Sequence, residues 1–331
     1  MDLGRQGCRE QEREQGGYRQ SGGHGNFHAS RTRADLATLL LTVCLLTLSC
    51  SGLVGAEEAV EQEFVVGEAP KVSLTHLAGV VRVQASSSPV FKIKTRRRLL
   101  PGAAESAAAE LSKVRVEVRA TVGQASAQFV CGAVTEWEML KEEARAGRLA
   151  GLAADYEIQA PKRSSLEVSS VSGEVVIQGI EGGVEFNGVN APVLFERVGG
   201  GCRVATMGGP VTIAGLLGGL AVEGVGGKIT GYAIRGACVI DTVGGEVELD
   251  VNPAETQVTR VHSMNGPVKV RLPPRASADV HLETTAGTIR CDFALPGEGT
   301  LLRSGKLGAG GATISIVTAN GPIQLLRSPG R

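Results

Sequence analysis

Aromatic residues are scarce in this chain: 331 residues carry one Trp, three Tyr and seven Phe, 3% of the total. Sugar-binding clefts are floored by rings, so this scarcity weighs against a carbohydrate enzyme. An excess of either charge is also lacking, with 34 Lys and Arg against 34 Asp and Glu. Binding to a phosphate backbone rests on basic excess, so a nucleic-acid partner is excluded from the expectations. No Walker loop, dinucleotide fingerprint or Ser/His/Asp nucleophile signature occurs, and no Cys pair or Cys/His spacing suggests zinc. The reading therefore assigns no catalytic residue, no cofactor and no resident metal.

Glycine, by contrast, is abundant at 46 residues, beside 42% apolar content. Without a collagen period, that combination points to many tight turns between short apolar strands. The amino end stands apart. Residues 1–35 are polar and rich in Gly, Gln and Arg, too poor in apolar surface to offset the entropy of ordering, and read as a disordered leader. From Leu36 to Leu53 the chain is uncharged, preceded by Arg31 and Arg33 and followed by Val54-Gly55-Ala56. The segment 36–56 thus reads as a secretory signal cleaved after Ala56, or as a retained anchor, since 18 residues just span a bilayer. A third option is lipid attachment at Cys50 after Ser49, although Thr47 is atypical for that signal. All three place the body outside the cytoplasm, in the periplasm or at the cell surface, with the membrane touched only through this segment.

Internal periodicity dominates the rest. From Gly173 the chain divides without gaps into four 18-residue units: 173–190, 191–208, 209–226 and 227–244; a fifth opens at Gly245. Position 1 is Gly or Ala (Gly173, Ala191, Gly209, Gly227). Position 3 is Val175, Val193, Val211 and Ile229; position 12 is Val184, Cys202, Leu220 and Cys238. Positions 8, 14 and 17 are apolar too, the last being Val189, Met207, Val225 and Val243. Alternation within each half is strand patterning, and two short strands per unit describe one coil of a β-solenoid. Coils stack about 4.8 Å apart, so each apolar column, position 17 included, is expected to fill the interior. Cys202 and Cys238 would then lie two coils apart, about 9.6 Å, beyond disulfide reach, and serve as buried thiols. The state of Cys131 and Cys291 stays open.

Downstream the Gly spacing widens to 21 (Gly245, Gly266, Gly287), and the added residues near Pro253, Pro273-Pro274 and Pro296 suggest a longer corner. Upstream, 72–74, 80–83 and 90–94 read as strands, while 103–111 and 137–152 read as helical, the latter an insertion. The expected fold is all-β: a single-domain β-solenoid of 18–21-residue coils spanning 57–327. It comprises an irregular cap (57–160) with a short helical insertion, regular coils (161–300) and closing strands (301–327).

Laid out in this way, the motifs resemble the bacterial putative-adhesin family, an exported β-solenoid domain of unknown function. The matching residues are Val171-Ser172-Gly173-Glu174-Val175, Met264-Asn265-Gly266-Pro267-Val268, Thr285-Ala286-Gly287-Thr288-Ile289, and Gly308–Ile314 followed by Thr318–Ile323. The family has no settled activity, so the resemblance implies a fold and an address and carries no catalytic residue over.

Two outward carboxylate columns are the candidate chemistry. Glu223 and Asp241 share position 15 in adjacent coils, and Glu167 and Glu185 share position 13, followed by Arg203. Such pairs suit calcium or acid–base catalysis, and equally a solvated ladder. His76, His262 and His281 read as surface or strand residues, and the basic run Lys92–Arg98 as solvated charge at a strand end. The expected function is a non-catalytic envelope or surface scaffold, adhesin-like, whose partner is an envelope protein or polysaccharide. Alternatives are a carbohydrate-active solenoid enzyme and an envelope assembly or stress component.

Overall fold

Eighteen residues accommodate two strands of five to seven residues and two corners, and that is how each unit folds. The computed structural model describes residues 59–295 and 300–329. Each coil contributes one strand to sheet A and one to sheet B, each of 12 strands. In the regular coils, sheet A holds Glu174–Gln178, Val193–Val198, Val211–Leu216, Ile229–Ile234 and Val247–Val251. Sheet B holds Ser165–Ser172, Val184–Asn190, Cys202–Thr206, Leu220–Gly224 and Cys238–Thr242.

Pairing is parallel and in the expected register. Val175, Val193, Val211, Ile229 and Val247 are successive partners, as are Val184, Cys202, Leu220 and Cys238. These side chains are buried and meet between the sheets. Phe186 and Phe195 share that interior edge-to-face, 6.3 Å between centroids, a geometry that aromatic quadrupoles favour. The four cysteines among the described residues are free, and burial pushes the Cys202 and Cys238 thiols up to about 12.

Glycine sets how closely coils stack. A Cβ on Gly182, Gly200, Gly218 or Gly236, position 10 of each unit, would lie 2.1–2.5 Å from backbone of the neighbouring coil. Position 11, whose small residues stand out in the sequence, leaves 3.3–3.5 Å, and Ala237 occupies it in the fourth coil. The stricter column is the one the sequence reading passed over.

Column 17 is a correction. Along each sheet B strand, positions 12, 14 and 16 point inward, so 17 must point outward. Met207, Val225, Val243 and Met264 are accordingly 52%, 53%, 42% and 56% exposed, whereas Val189, in the first unit of the column, is half-buried and packs against the core. The inward place near the corner belongs to position 16: Thr206 and Thr242 are buried there and donate to the carbonyls of Gly208 and Gly244, two residues on.

The stack also departs from chain order. Ala312–Asn320 lies between Val258–Asn265 and Ala278–Ala286 in sheet B, and Ile323–Arg327 lies between Val268–Leu272 and Ile289–Cys291 in sheet A. The closing coil is inserted between two earlier ones. Asn320-Gly321 keeps its glycine because a Cβ would sit 2.2 Å from the Gly266 carbonyl, not because φ is positive. Pro253–Thr256 forms one helical turn at the widened corner, started by the Asn252 side chain accepting from the Ala254 N–H. Pro296 lies outside the described residues, as do residues 1–35, Cys50 and Ala56.

At the amino end the pairing turns antiparallel: Ala59–Val65, Val90–Leu99 and Leu152–Pro161 on sheet A, Val114–Thr121 and Gln124–Cys131 on sheet B. Charge protects these edges, as Lys92 pairs with Glu61 and Glu63 and Glu117 with Arg115 and Arg119. The helices are shorter than expected, Glu105–Leu111 and Trp137–Arg145. Gly147 and Gly151 turn the chain at positive φ, and Leu152 already begins a strand. Among the described residues no helix is long and apolar enough to cross a membrane.

Candidate functional site

The outer face of sheet B carries an open groove of about 1040 Å³. Its floor is built by alternation. Column 15 presents Glu223 and Asp241, and column 17, two residues on, presents Met207, Val225, Val243 and Met264. Backbone bonds hold these last side chains in line: the N–H groups of Met207, Val225 and Val243 donate to Gly188, Thr206 and Gly224 of the preceding coil. Apolar rungs therefore run through four successive coils, and the two middle ones, Val225 and Val243, lie beside acidic residues.

One wall is the helix Trp137–Arg145, which packs on Ser165–Ser172. Its ends suit its dipole, with Glu138 in the first turn and Arg145 in the last. Leu140 is buried and Ala144 packs against the core. Val171, outward by alternation on the strand the helix packs against, keeps only 8% exposure. Trp137, Lys141 and Arg145 line the groove. Lys141 Nζ lies 5.5 Å from the Trp137 ring centroid and 2.7 Å from Glu138. Arg145 Nη2 donates to Met207 Sδ at 3.3 Å.

Glu223 and Asp241 are direct partners on adjacent strands, as their shared repeat position requires. His262 follows in the next strand, its Nδ1 3.9 Å from Asp241 Oδ1. Glu167, Glu185 and Arg203 also align, but they lie in a separate depression on the same sheet. There Glu167 pairs with Lys71 at 2.8 Å, a partner from the upstream strand Lys71–His76 that the repeat did not reveal. Among the described residues, no group of three or more His, Cys, Asp or Glu is placed to hold a metal ion.

Of the histidines, His262 is exposed and His281 half-buried, both on strands, whereas His76 is fully buried. It bonds the Ser170 hydroxyl at 3.0 Å and the Ala154 carbonyl at 2.8 Å, and burial pulls its imidazole down to about 4. His76 is a core residue, not a ligand. Sequence reasoning also missed Trp137, because nothing in the repeat says which face receives an inserted helix.

Sheet A offers a contrast. Its outer face is knitted by ion pairs, with Lys228, Lys269 and Arg271 all on Glu248. Hydrogen bonds from Lys228 and Arg271 hold that carboxyl down at about 2. Tyr232 is exposed there.

These features define a two-sheet β-solenoid with an apolar and acidic groove on one face. No protein-family model and no curated protein matches the chain. Similar solved structures include a putative cell adhesion protein from Clostridium sporogenes ATCC 15579, 12% identical with a TM-score of 0.27, covering 82% of this chain and 100% of that one. Another is a putative adhesin from Bacteroides fragilis NCTC 9343, 11% identical with a TM-score of 0.37, covering 83% and 100%. A third is a putative lipid binding protein from Parabacteroides distasonis ATCC 8503, 9% identical with a TM-score of 0.40, covering 83% and 98%. The adhesin names match the family that the sequence motifs resemble. The fold rests on the strand register.

Proposed function

We propose that this chain is a non-catalytic, exported β-solenoid, a scaffold or adhesin-like binding module of the cell envelope that engages a protein or polysaccharide through the outer face of sheet B. The observation that carries this reading is the exposed column Met207, Val225, Val243 and Met264, an unbroken apolar line on a face that alternation would ordinarily make polar. Export is read from residues 36–56, and the balanced charge speaks against nucleic acid.

Co-sedimentation of the purified protein with separated envelope fractions, at low and high salt, tests it. Salt-resistant capture by one fraction is expected, because apolar contact survives screening. Capture lost with salt would reduce the interaction to surface charge. Turnover of a uronic polymer that disappears in a Glu223→Gln/Asp241→Asn variant would replace this reading with the enzyme one.

A further inference from the structure

Resting on that reading, we propose that the free rungs of column 17 are a docking track for a basic amphipathic helix of a partner protein. The chain supplies its own template. Trp137–Arg145 already lies on sheet B with Leu140 and Ala144, four residues apart, turned to the protein and Lys141 and Arg145 beside the groove. Its last residue reaches Met207, the first free rung. Val225, Val243 and Met264 continue the same line from the point where the helix stops.

Spacing and charge both select a helix. One helical turn advances about 5.4 Å and one coil about 4.8 Å, so an apolar stripe meets roughly one rung per turn. Four rungs span about 14 Å, or about ten helical residues. Beside the rungs, Glu223 has no ion-pair partner among the described residues and Asp241 meets only His262 at 3.9 Å. Lysines or arginines flanking the stripe of a docked helix supply that missing charge, as i and i+4 spacing allows. Flexible Met207 and Met264 at the two ends let the track adapt to different apolar side chains. An anionic membrane surface would meet two carboxylates, and a glycan would find a single ring, Trp137.

Trp137 is the sole tryptophan of the whole chain, so its emission reports on this groove alone. The test titrates the full-length protein with a labelled fourteen-residue peptide that has a Leu stripe at helical spacing flanked by Lys. Controls are the same peptide with Glu for Lys and a scrambled order. Expected are a saturable Trp137 emission change and anisotropy showing the Lys peptide at least tenfold tighter than either control. Val225→Asn/Val243→Asn should weaken binding at least tenfold with unchanged circular dichroism and melting. Glu223→Gln/Asp241→Asn should erase the preference for Lys over Glu. Equal binding of all three peptides, no binding, or capture by zwitterionic vesicles in place of the peptide overturns the proposal. If envelope capture persists in Val225→Asn/Val243→Asn, the binding module stands and this groove is not its site; failure of the unsubstituted protein in both assays overturns both readings.

Discussion

Cys238 and Thr259 are partners across one parallel strand pair, and the hydroxyl of Thr259 is buried without a hydrogen-bond partner. Thr259 stands between Cys238 and Ile314 in a column otherwise lined by Val184, Cys202 and Leu220, so nothing beside it accepts the proton. An unsatisfied buried hydroxyl costs about 1–3 kcal/mol. Thr259→Val keeps the shape and removes that cost. Chemical denaturation should show a stability gain of about 1 kcal/mol; a loss would mean that the hydroxyl is satisfied after all.

Adjacent glycines should respond very differently to the same methyl group. Gly218→Ala places a Cβ 2.4 Å from the backbone of Gly200, whereas Gly219→Ala meets the Ala237 carbonyl at an ordinary 3.4 Å. Overpacking of that kind costs about 1–3 kcal/mol, and more where backbone must move. Thermal melts should drop by several degrees for Gly218→Ala and hardly shift for Gly219→Ala. Equal responses would show that the coils are not stacked as closely as described.

Parity along the strand makes a second paired comparison. Val211 is fully buried between the sheets, so Val211→Asp puts an unpaired charge into a ladder and should abolish folding, a loss of at least about 4 kcal/mol. Val225→Asp, on the exposed column, should change stability by no more than about 1 kcal/mol. Circular dichroism and melting of the two variants decide the matter; a folded Val211→Asp protein would refute the register.

Acid should weaken the fold through His76. Its folded imidazole titrates near 4 and an unfolded one near 6.5, so the unfolded chain binds the proton first. Stability contributed by keeping it neutral is therefore complete above about pH 6.5 and declines as pH falls towards 4, by at most roughly 3 kcal/mol. Denaturation at pH 7 and pH 4.5 should show this decline in the native protein and a smaller one in His76→Gln. Identical slopes would remove His76 from the account.

Much of this was readable from residues alone, for a simple reason: four units of equal length need no gaps, so one correct phase places every rung. Val211, Phe186 and the Glu223–Asp241 pair fall where that phase puts them. Column 17 failed because apolar identity was allowed to outweigh parity, although position 17 lies an odd three residues beyond inward position 14. Gly182, Gly200, Gly218 and Gly236 form an unbroken column in the sequence, but spacing alone does not say which of two adjacent small positions faces the backbone of the next coil. His76 belongs to a coil whose phase is broken by the helical insertion, so no count from Gly173 reaches it. The placement of Trp137–Arg145 depends on packing between segments distant in sequence, which spacing does not encode.

The position of the closing coil was illegible for a related reason, because a strand of this grammar stacks equally well on either neighbour. It has a consequence for biogenesis. Ala312–Asn320 and Ile323–Arg327 are synthesised after both of the coils they separate. Until they arrive, Val258–Leu272 and Ala278–Cys291 lack the strands that join them in each sheet. Completion of this protein is therefore a late insertion into the body of the stack, which cannot close before its last strand is available.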